Sequence, residues 1–164
     1  MEYFNQQSER LKYRKLTEED IPSWIEFFID NDRLQYLGMD LQKSKETLAE
    51  EWIKAQLNRY ENQGLGHLAV ELKDSGDFIG MGGILPRELN GNKEYEIAYS
   101  LKPNYWGNGY ATEIAKTMRE FGSKKIDANR FISIIDVANI ESANVAKKNG
   151  MAVLFNAEYL GMKV

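Results

Sequence analysis

Cysteine is missing from this chain, and histidine occurs once, at His67. Without thiols there can be no disulfide, thiolate nucleophile or cysteine-based zinc site. With a single imidazole, neither a His-based metal centre nor a Ser–His–Asp triad has its parts. No metal is expected, and a lone histidine at a strand start reads as structural or solvated. Long apolar runs are absent too: no stretch approaches the roughly 20 residues needed to cross a bilayer, and MEYFNQQSERLKYRK does not resemble a signal sequence. These absences predict a cytoplasmic protein with no membrane association. Positive charge is in deficit, with 21 Lys and Arg against 25 Asp and Glu, so the net charge of −4 offers no basic field for nucleic acid. A mildly acidic surface favours a cationic amine or a basic peptide. Proline is scarce, and no Pro/Gly-rich linker, repeat or low-complexity segment marks a domain boundary.

What is present suffices for one core. A chain of 164 residues with 43% apolar content can bury a sizeable interior without dividing, so residues 1–164 read as a single domain. Residues 9–16 alternate as a strand. Thr17, with Asp20 three positions on, caps a helix whose apolar stripe is Ile21, Trp24, Ile25 and Phe28. A second helix is predicted over residues 44–61. Three strands follow at 67–72, 78–85 and 94–101, with turns signalled by Asp74-Ser75-Gly76 and Asn90-Gly91-Asn92, a spacing that suits antiparallel hairpins. The order then becomes helix 110–121 ended by Gly122, strand 130–137 and helix 140–149, the pattern of a parallel crossover. Mixed α/β architecture follows, and a parallel pair joined through a helix leaves a cleft at the carboxyl ends of its strands.

Gly107 and Gly109 sit between the strand ending at Leu101 and the helix beginning near Tyr110. The first N–H groups of a helix lack intrahelical partners and carry the positive end of its dipole, so they attract anions. Glycines there permit positive φ and remove Cβ atoms that would hold a diphosphate away from the N–H groups of residues 107–111. Two familiar phosphate motifs fail: Tyr110 and Ala111 follow Gly109 where a Walker loop needs Lys and Ser or Thr. Thr112 stands where a dinucleotide fingerprint needs Gly or Ala, and Asp127 precedes the next apolar run instead of ending it. A glycine turn that merely joins strand to helix remains open.

Three further segments narrow the choice: Glu96-Ile97-Ala98-Tyr99, Tyr105-Trp106-Gly107-Asn108-Gly109-Tyr110-Ala111-Thr112-Glu113, and Asn139 with Ser142 followed by Lys148 and Gly150. In these motifs, over nearly its whole length, the chain resembles the GNAT acyltransferases, and more narrowly the branch that includes the ribosomal-protein-alanine N-acetyltransferases. The resemblance implies a mixed, mostly antiparallel sheet with a splayed parallel strand pair and helices on both faces. It implies acetyl-CoA as cosubstrate, with the pantetheine arm along Tyr99, Ser100 and Leu101 and the diphosphate on Trp106, Gly107, Asn108, Gly109, Tyr110 and Ala111. Asn139 would contact the cofactor and Ser142 would lie near sulfur as a proton donor, while Asn144 and Lys148 are candidates for the nucleotide end. One departure is Asn104, where the family's wider pattern has Gln or Arg. The shorter side chain leaves phosphate binding to backbone donors, with Lys102 as a possible aid.

The implied reaction is direct attack of a neutral amine on a thioester, which needs a base, an oxyanion donor and a proton for the leaving thiolate. Glu96, within an apolar strand, is the base candidate, although it lies roughly 13 Å from Ser100 along that strand. The plainer reading is a carboxylate satisfied by a neighbouring Arg, Lys or Tyr. For Asn139 and Ser142 the plainer reading is a helix cap, and for Asn144 and Lys148 a solvated face. Tyr99 reads as core or cofactor wall. Tyr36, with residues 37–39, is the candidate wall of an acceptor pocket. The acceptor is expected to be a primary amine, a protein N-terminal α-amine first, with polyamines, amino acids and aminoglycoside-like amines as alternatives. A non-catalytic acyl-CoA sensor or scaffold, or an unrelated nucleotide binder, is the competing class. The glycines of FIGMGGIL suggest a β-bulge. Residues 151–159 read as the penultimate strand and Gly161 as a turn. Only residues 162–164 remain for a final strand, so either the chain continues beyond Val164 or a partner subunit, such as a second copy, fills the gap.

Overall fold

The computed structural model describes residues 2–164. Five strands form an antiparallel sheet in sequence order: β1 (Asn5–Gln7), β2 (Leu11–Arg14), β3 (Gly66–Leu72), β4 (Phe78–Leu89) and β5 (Asn92–Leu101). The long β4–β5 hairpin closes through Asn90 and Gly91, both at positive φ, the two-residue turn whose twist matches its strands. β1 is an addition to the predicted elements. Its three polar residues carry no alternating pattern, and it is held by pairing with β2.

Helix α2 (Lys45–Gln63) begins where the Ser44 hydroxyl accepts the Thr47 N–H at 3.1 Å and ends at Gly64, whose φ of 67° suits a C-cap. Upstream, the Thr17 signal opens a broken helical segment instead of a regular helix: a 3-10 turn at Glu18–Asp20, α1 (Ile21–Trp24), and another 3-10 turn at Ile25–Phe28. Helix α3 (Tyr110–Lys125) runs past Gly122, contrary to expectation. Gly122 is buried inside the helix because the Phe131 ring packs on it, and a Cβ there would lie 2.7 Å from that ring. α2 and α3 cover opposite faces. His67 on β3 meets Trp52 of α2, whereas the next residue, Leu68, pairs with Gly82, whose missing Cβ leaves space for Ile114 of α3. That close approach requires a glycine at 82, while Gly80 and Gly83 lie against the Ser100 and Gly66 carbonyls of the neighbouring strands. The suggested bulge is present beside Gly80, where Ile79 is the extra residue opposite Val70 and Glu71.

The predicted strand at 130–137 is reduced to one parallel bridge, Glu96 with Ile132. Ile132 donates to the Tyr95 carbonyl at 2.9 Å and accepts the Ile97 N–H at 2.7 Å. Beyond it, side chains replace the ladder: the Ser133 hydroxyl donates to the Ile97 carbonyl at 2.7 Å, and the Glu96 carboxylate accepts the Ile134 N–H at 3.2 Å. The two segments then separate. α4 (Ile140–Lys148) follows. The predicted strand at 151–159 is likewise shortened to its end: β6 (Glu158–Tyr159) pairs with β7 (Met162–Lys163) across a turn at Leu160 and Gly161, and Ala157 exchanges both backbone bonds with Val164. Val153 and Leu154 point into solvent at 82% and 60% exposure, so their apolar pattern makes no ladder. The short hairpin is tied to the splayed segment by the Val137 N–H on the Lys163 carbonyl.

Candidate active site

In an antiparallel ladder each residue turns both backbone groups to one side. Because Ile97 faces the splayed segment, Tyr99 and Leu101 face the opening as well, while Ser100 pairs with Met81 on β4. Of the three residues predicted to pair with a pantetheine arm, Ser100 therefore presents its side chain to the cleft but not its backbone. The Leu101 carbonyl also accepts the Trp106 indole N–H at 2.9 Å. Tyr99 offers unclaimed edge geometry.

Across the opening stands the start of α4. Asn139 caps it, its side-chain oxygen accepting the Ser142 N–H at 3.3 Å, so the predicted cap is present. The Tyr99 hydroxyl donates to the Ser142 carbonyl at 2.9 Å and accepts from the Ser142 hydroxyl at 3.3 Å. Burial raises the pKa of the Tyr99 phenol, which its bond to Ser142 only partly offsets, so Tyr99 keeps its proton at neutral pH. The two hydroxyls are held together across the opening.

The loop below the cleft adopts the conformation its glycines permit. Gly107 and Gly109 have φ of 82° and 79°, and nothing lies within 4 Å of a Cβ built at Gly107. α3 starts immediately after, directing its first-turn N–H groups to that open space. Arg10, which sequence reasoning passed over, braces the loop. It donates to the Asn108 carbonyl at 2.9 Å and to Glu113 at 2.7 Å, and its guanidinium lies over the Tyr110 ring. Burial pushes the Glu113 carboxyl up, but the Ser8 hydroxyl and the backbone and side chain of Arg10 together hold it below the ordinary carboxylate range. Arg33 stacks on the Trp106 indole, 3.7 Å from its centroid. Lys102, considered as a phosphate aid, is elsewhere: its buried ammonium donates to Ser23 at 2.7 Å and to Glu26 at 3.1 Å. Asn144 and Lys148 lie on the exposed face of α4.

Two cavities meet at this point. One of about 110 Å³ lies between Leu101, Trp106, Asn139 and Val145. The other, of about 380 Å³, opens under α2 and the 3-10 turn Leu34–Tyr36, with Tyr36, Leu37 and Met39 on its wall. They share Leu37, Tyr99, Ser100 and Ser142. Glu96 lies in the larger cavity, where one carboxylate oxygen accepts from Arg87 at 2.9 Å and the other from Ile134. This is the plainer role foreseen for it, and any action as a base requires a shared or displaced partner. His67 lies on the same wall with its Nδ1 accepting the Trp52 indole N–H at 3.3 Å. Burial, reinforced by Arg59 and Arg87, pushes its pKa down to about 3, so it is a neutral structural group. Arg33, Arg59 and Arg87 went unnoticed in sequence because an isolated arginine looks like any surface charge. Among the described residues no cluster of His, Asp and Glu could hold a metal, and no helix is long and apolar enough to cross a membrane.

Residues 10–152 match the acetyltransferase (GNAT) domain. The chain is 30% identical over 144 residues to the uncharacterized N-acetyltransferase YnaD of Bacillus subtilis, covering 88% of this chain and 80% of that one. Among solved structures, an acetyltransferase from Agrobacterium tumefaciens superposes with a TM-score of 0.74 at 27% identity, over 89% of this chain and 82% of that one. The ribosomal L7/L12 alpha-N-protein acetyltransferase RimL, in complex with coenzyme A, shares the fold with a TM-score of 0.73 at 20% identity, over 94% and 89% of the two chains.

Proposed function

Since the chain belongs to the acetyltransferase (GNAT) family, we propose that it carries the acetyl group of acetyl-CoA to a primary amine, with a protein N-terminal α-amine as preferred acceptor. The observation that carries this reading is the junction of two cavities at Tyr99 and Ser142, one leading to the glycine loop and one to the wall under α2. Donor and acceptor can therefore approach the same pair of hydroxyls from different sides. The open space at Gly107, the N-terminus of α3 and the nearby Arg10 guanidinium suit a diphosphate. Bound there, acetyl-CoA supplies the acyl group as a thioester.

The residues of the chain divide the remaining work. Tyr99 turns its backbone to the donor side, with Leu101 and Trp106 forming the wall beyond it. Ser142, held by the cap at Asn139 and by Tyr99, donates a proton toward the departing sulfur and regains one from solvent, while Tyr99 keeps its own proton on the Ser142 carbonyl and fixes the position of the residue. Glu96 serves the amine side from its place beside Arg87 at the far end of the cavity, through a chain of waters spanning the roughly 13 Å between it and Ser100. Asn144 and Lys148 extend the cofactor surface along α4. The α-amine preference draws support from RimL, which shares the fold and whose name describes that activity.

The test has two stages. Thermal shifts with acetyl-CoA, CoA, ATP and NAD measure the cradle, and thiol release with peptide, polyamine and amino-acid amines measures transfer. Stabilisation by the CoA compounds with acetylation of peptide α-amines is the expected result. Stabilisation without transfer to any amine would leave a binding module, and no stabilisation by either CoA compound would remove the cofactor assignment.

A further inference from the structure

The end of the larger cavity remote from Ser142 is richer in cations than in available anions. Arg87 spends its charge on Glu96, whose second oxygen is taken by the Ile134 N–H. Arg59 reaches the same end from α2, where its bond is to the neutral Gln56 carbonyl oxygen at 3.1 Å, and among the described residues it forms no ion pair. His67, on the same wall, is neutral and adds no compensating charge. The cavity's other carboxylates stand at the opposite end. Glu51 is eight residues before Arg59 on one helix, about 12 Å along its axis, and it is paired with Lys43 at 3.0 Å. Asp40 is turned to the Gln42 N–H. Partial burial, and then the like charge of Arg87, disfavour the charged form of Arg59, and the field of Glu96, whose oxygens are already taken, offsets this only in part. A guanidinium nonetheless keeps its proton. The cavity thus holds a half-buried planar cation with no carboxylate in contact with it, in a protein whose net charge is negative.

We propose that the acceptor amine carries a carboxylate and that Arg59 receives it, which makes Arg59 the residue that selects the acceptor. This rests on the transferase reading above and refines its substrate class. Arg59 offers a forked pair of donors matched to a carboxylate, and pairing there supplies the missing counter-charge. The cationic end is marked by Glu96, roughly 13 Å along β5 from Ser100, so the amine and the carboxylate of the acceptor are several bonds apart. An α-amino acid, with both groups on one carbon, is too short. The carboxylate belongs either to an acidic side chain within the first residues of a peptide or to the far end of a long ω-amino acid. The overall acidity of the chain had pointed to a basic acceptor. The local charge of the cavity points the other way.

The test compares acids with their isosteric amides as acceptors. One pair is the capped tripeptides Ala-Glu-Ala amide and Ala-Gln-Ala amide, and the other is aminohexanoate and its amide. Acetyl transfer is followed by thiol release, and kcat/KM is measured for the wild type, Arg59→Gln and Arg59→Lys. The expected result is a preference for the acid of at least about ten-fold in one pair, expressed in KM. The responsive pair identifies the source of the carboxylate. The preference falls toward unity in Arg59→Gln and is partly kept in Arg59→Lys, which retains charge but not the fork. Equal rates for acid and amide in both wild-type pairs, or a preference that survives Arg59→Gln, would overturn the proposal. Thermal melting checks that the variants fold, and if Arg59→Gln does not, an unchanged preference in Arg59→Lys overturns it. Acetylation without a charge preference sinks this inference alone, whereas acetyl-CoA binding without acetylation of any amine sinks the transferase reading and this inference with it.

Discussion

His67 supplies a prediction that joins stability to pH. The imidazole is buried between α2 and β3, with its pKa pushed down from 6.5 to about 3 chiefly by burial and then by Arg59 and Arg87. An unfolded chain takes up a proton there as the pH falls through 6.5, while the folded chain does not. The neutral histidine therefore favours the fold fully above that value, and the advantage is lost progressively between 6.5 and about 3. Moving from about pH 7.5 to about pH 5 removes roughly 2 kcal/mol of unfolding free energy through this one group. For a chain of this length that corresponds to a fall in Tm of roughly 4–8 °C. The depressed carboxyls Asp20, Glu94 and Glu113 lose their contributions only as the pH falls through and below the ordinary carboxylate range, so they leave this interval largely to the single histidine. Urea unfolding at the two pH values, on the wild type and on His67→Gln, isolates the effect, since glutamine retains an acceptor for the Trp52 indole. The wild type should show the steeper dependence by about 2 kcal/mol. Equal pH dependence in the two proteins would refute the buried neutral imidazole.

Other expectations concern the cleft directly. Ser142→Ala should lower kcat by roughly 10²–10⁴-fold while leaving CoA binding by calorimetry intact; a parallel loss of binding would make Ser142 a structural residue. Arg10→Ala removes the brace on the Asn108 carbonyl and on Glu113, so KM for acetyl-CoA should rise by roughly 3–10-fold with little change in kcat, the loss of about one charged hydrogen bond in partial exposure. An unchanged KM would show that the loop holds its shape alone. Gly82→Ala places a Cβ 2.2 Å from the Ile114 methyl and should destabilise by about 1–3 kcal/mol in urea unfolding. A neutral result would mean that α3 shifts freely over the sheet.

The central hairpins were legible because their signals are local. Asn90-Gly91 dictates its turn, Ser44 and Gly64 bracket α2, and Gly109 with the Ile114–Met118 stripe announces α3. Residues 130–137 and 151–159 misled for the same reason. They carry the apolar alternation of strands, but pairing needs a neighbouring edge, and β5 provides one only as far as Ile132. Gly122 misled because a glycine that ends a helix and one that admits a ring look alike in sequence. Within the site, Gly107, Gly109, Asn139, Ser142 and Tyr99 are close in chain order to recognisable elements. The arginines come from the turn before β2, the segment before α2, α2 itself and β4, and only the folding of the sheet brings them to the cleft.

Where β5 and the segment after Ile132 part company, the boundary is drawn by two side chains, Ser133 on the Ile97 carbonyl and Glu96 on the Ile134 N–H. Most clefts owe their floor to backbone, which changes only when a strand is lengthened or re-registered. Here the floor is written in replaceable letters. A substitution at either residue removes one of the two bonds that hold the segments beyond their last backbone pair, so the point of separation moves by a step of roughly 7 Å along the strand. The depth of the cleft is thus set by two side chains, while the sheet, the loop and the helices stay as they are.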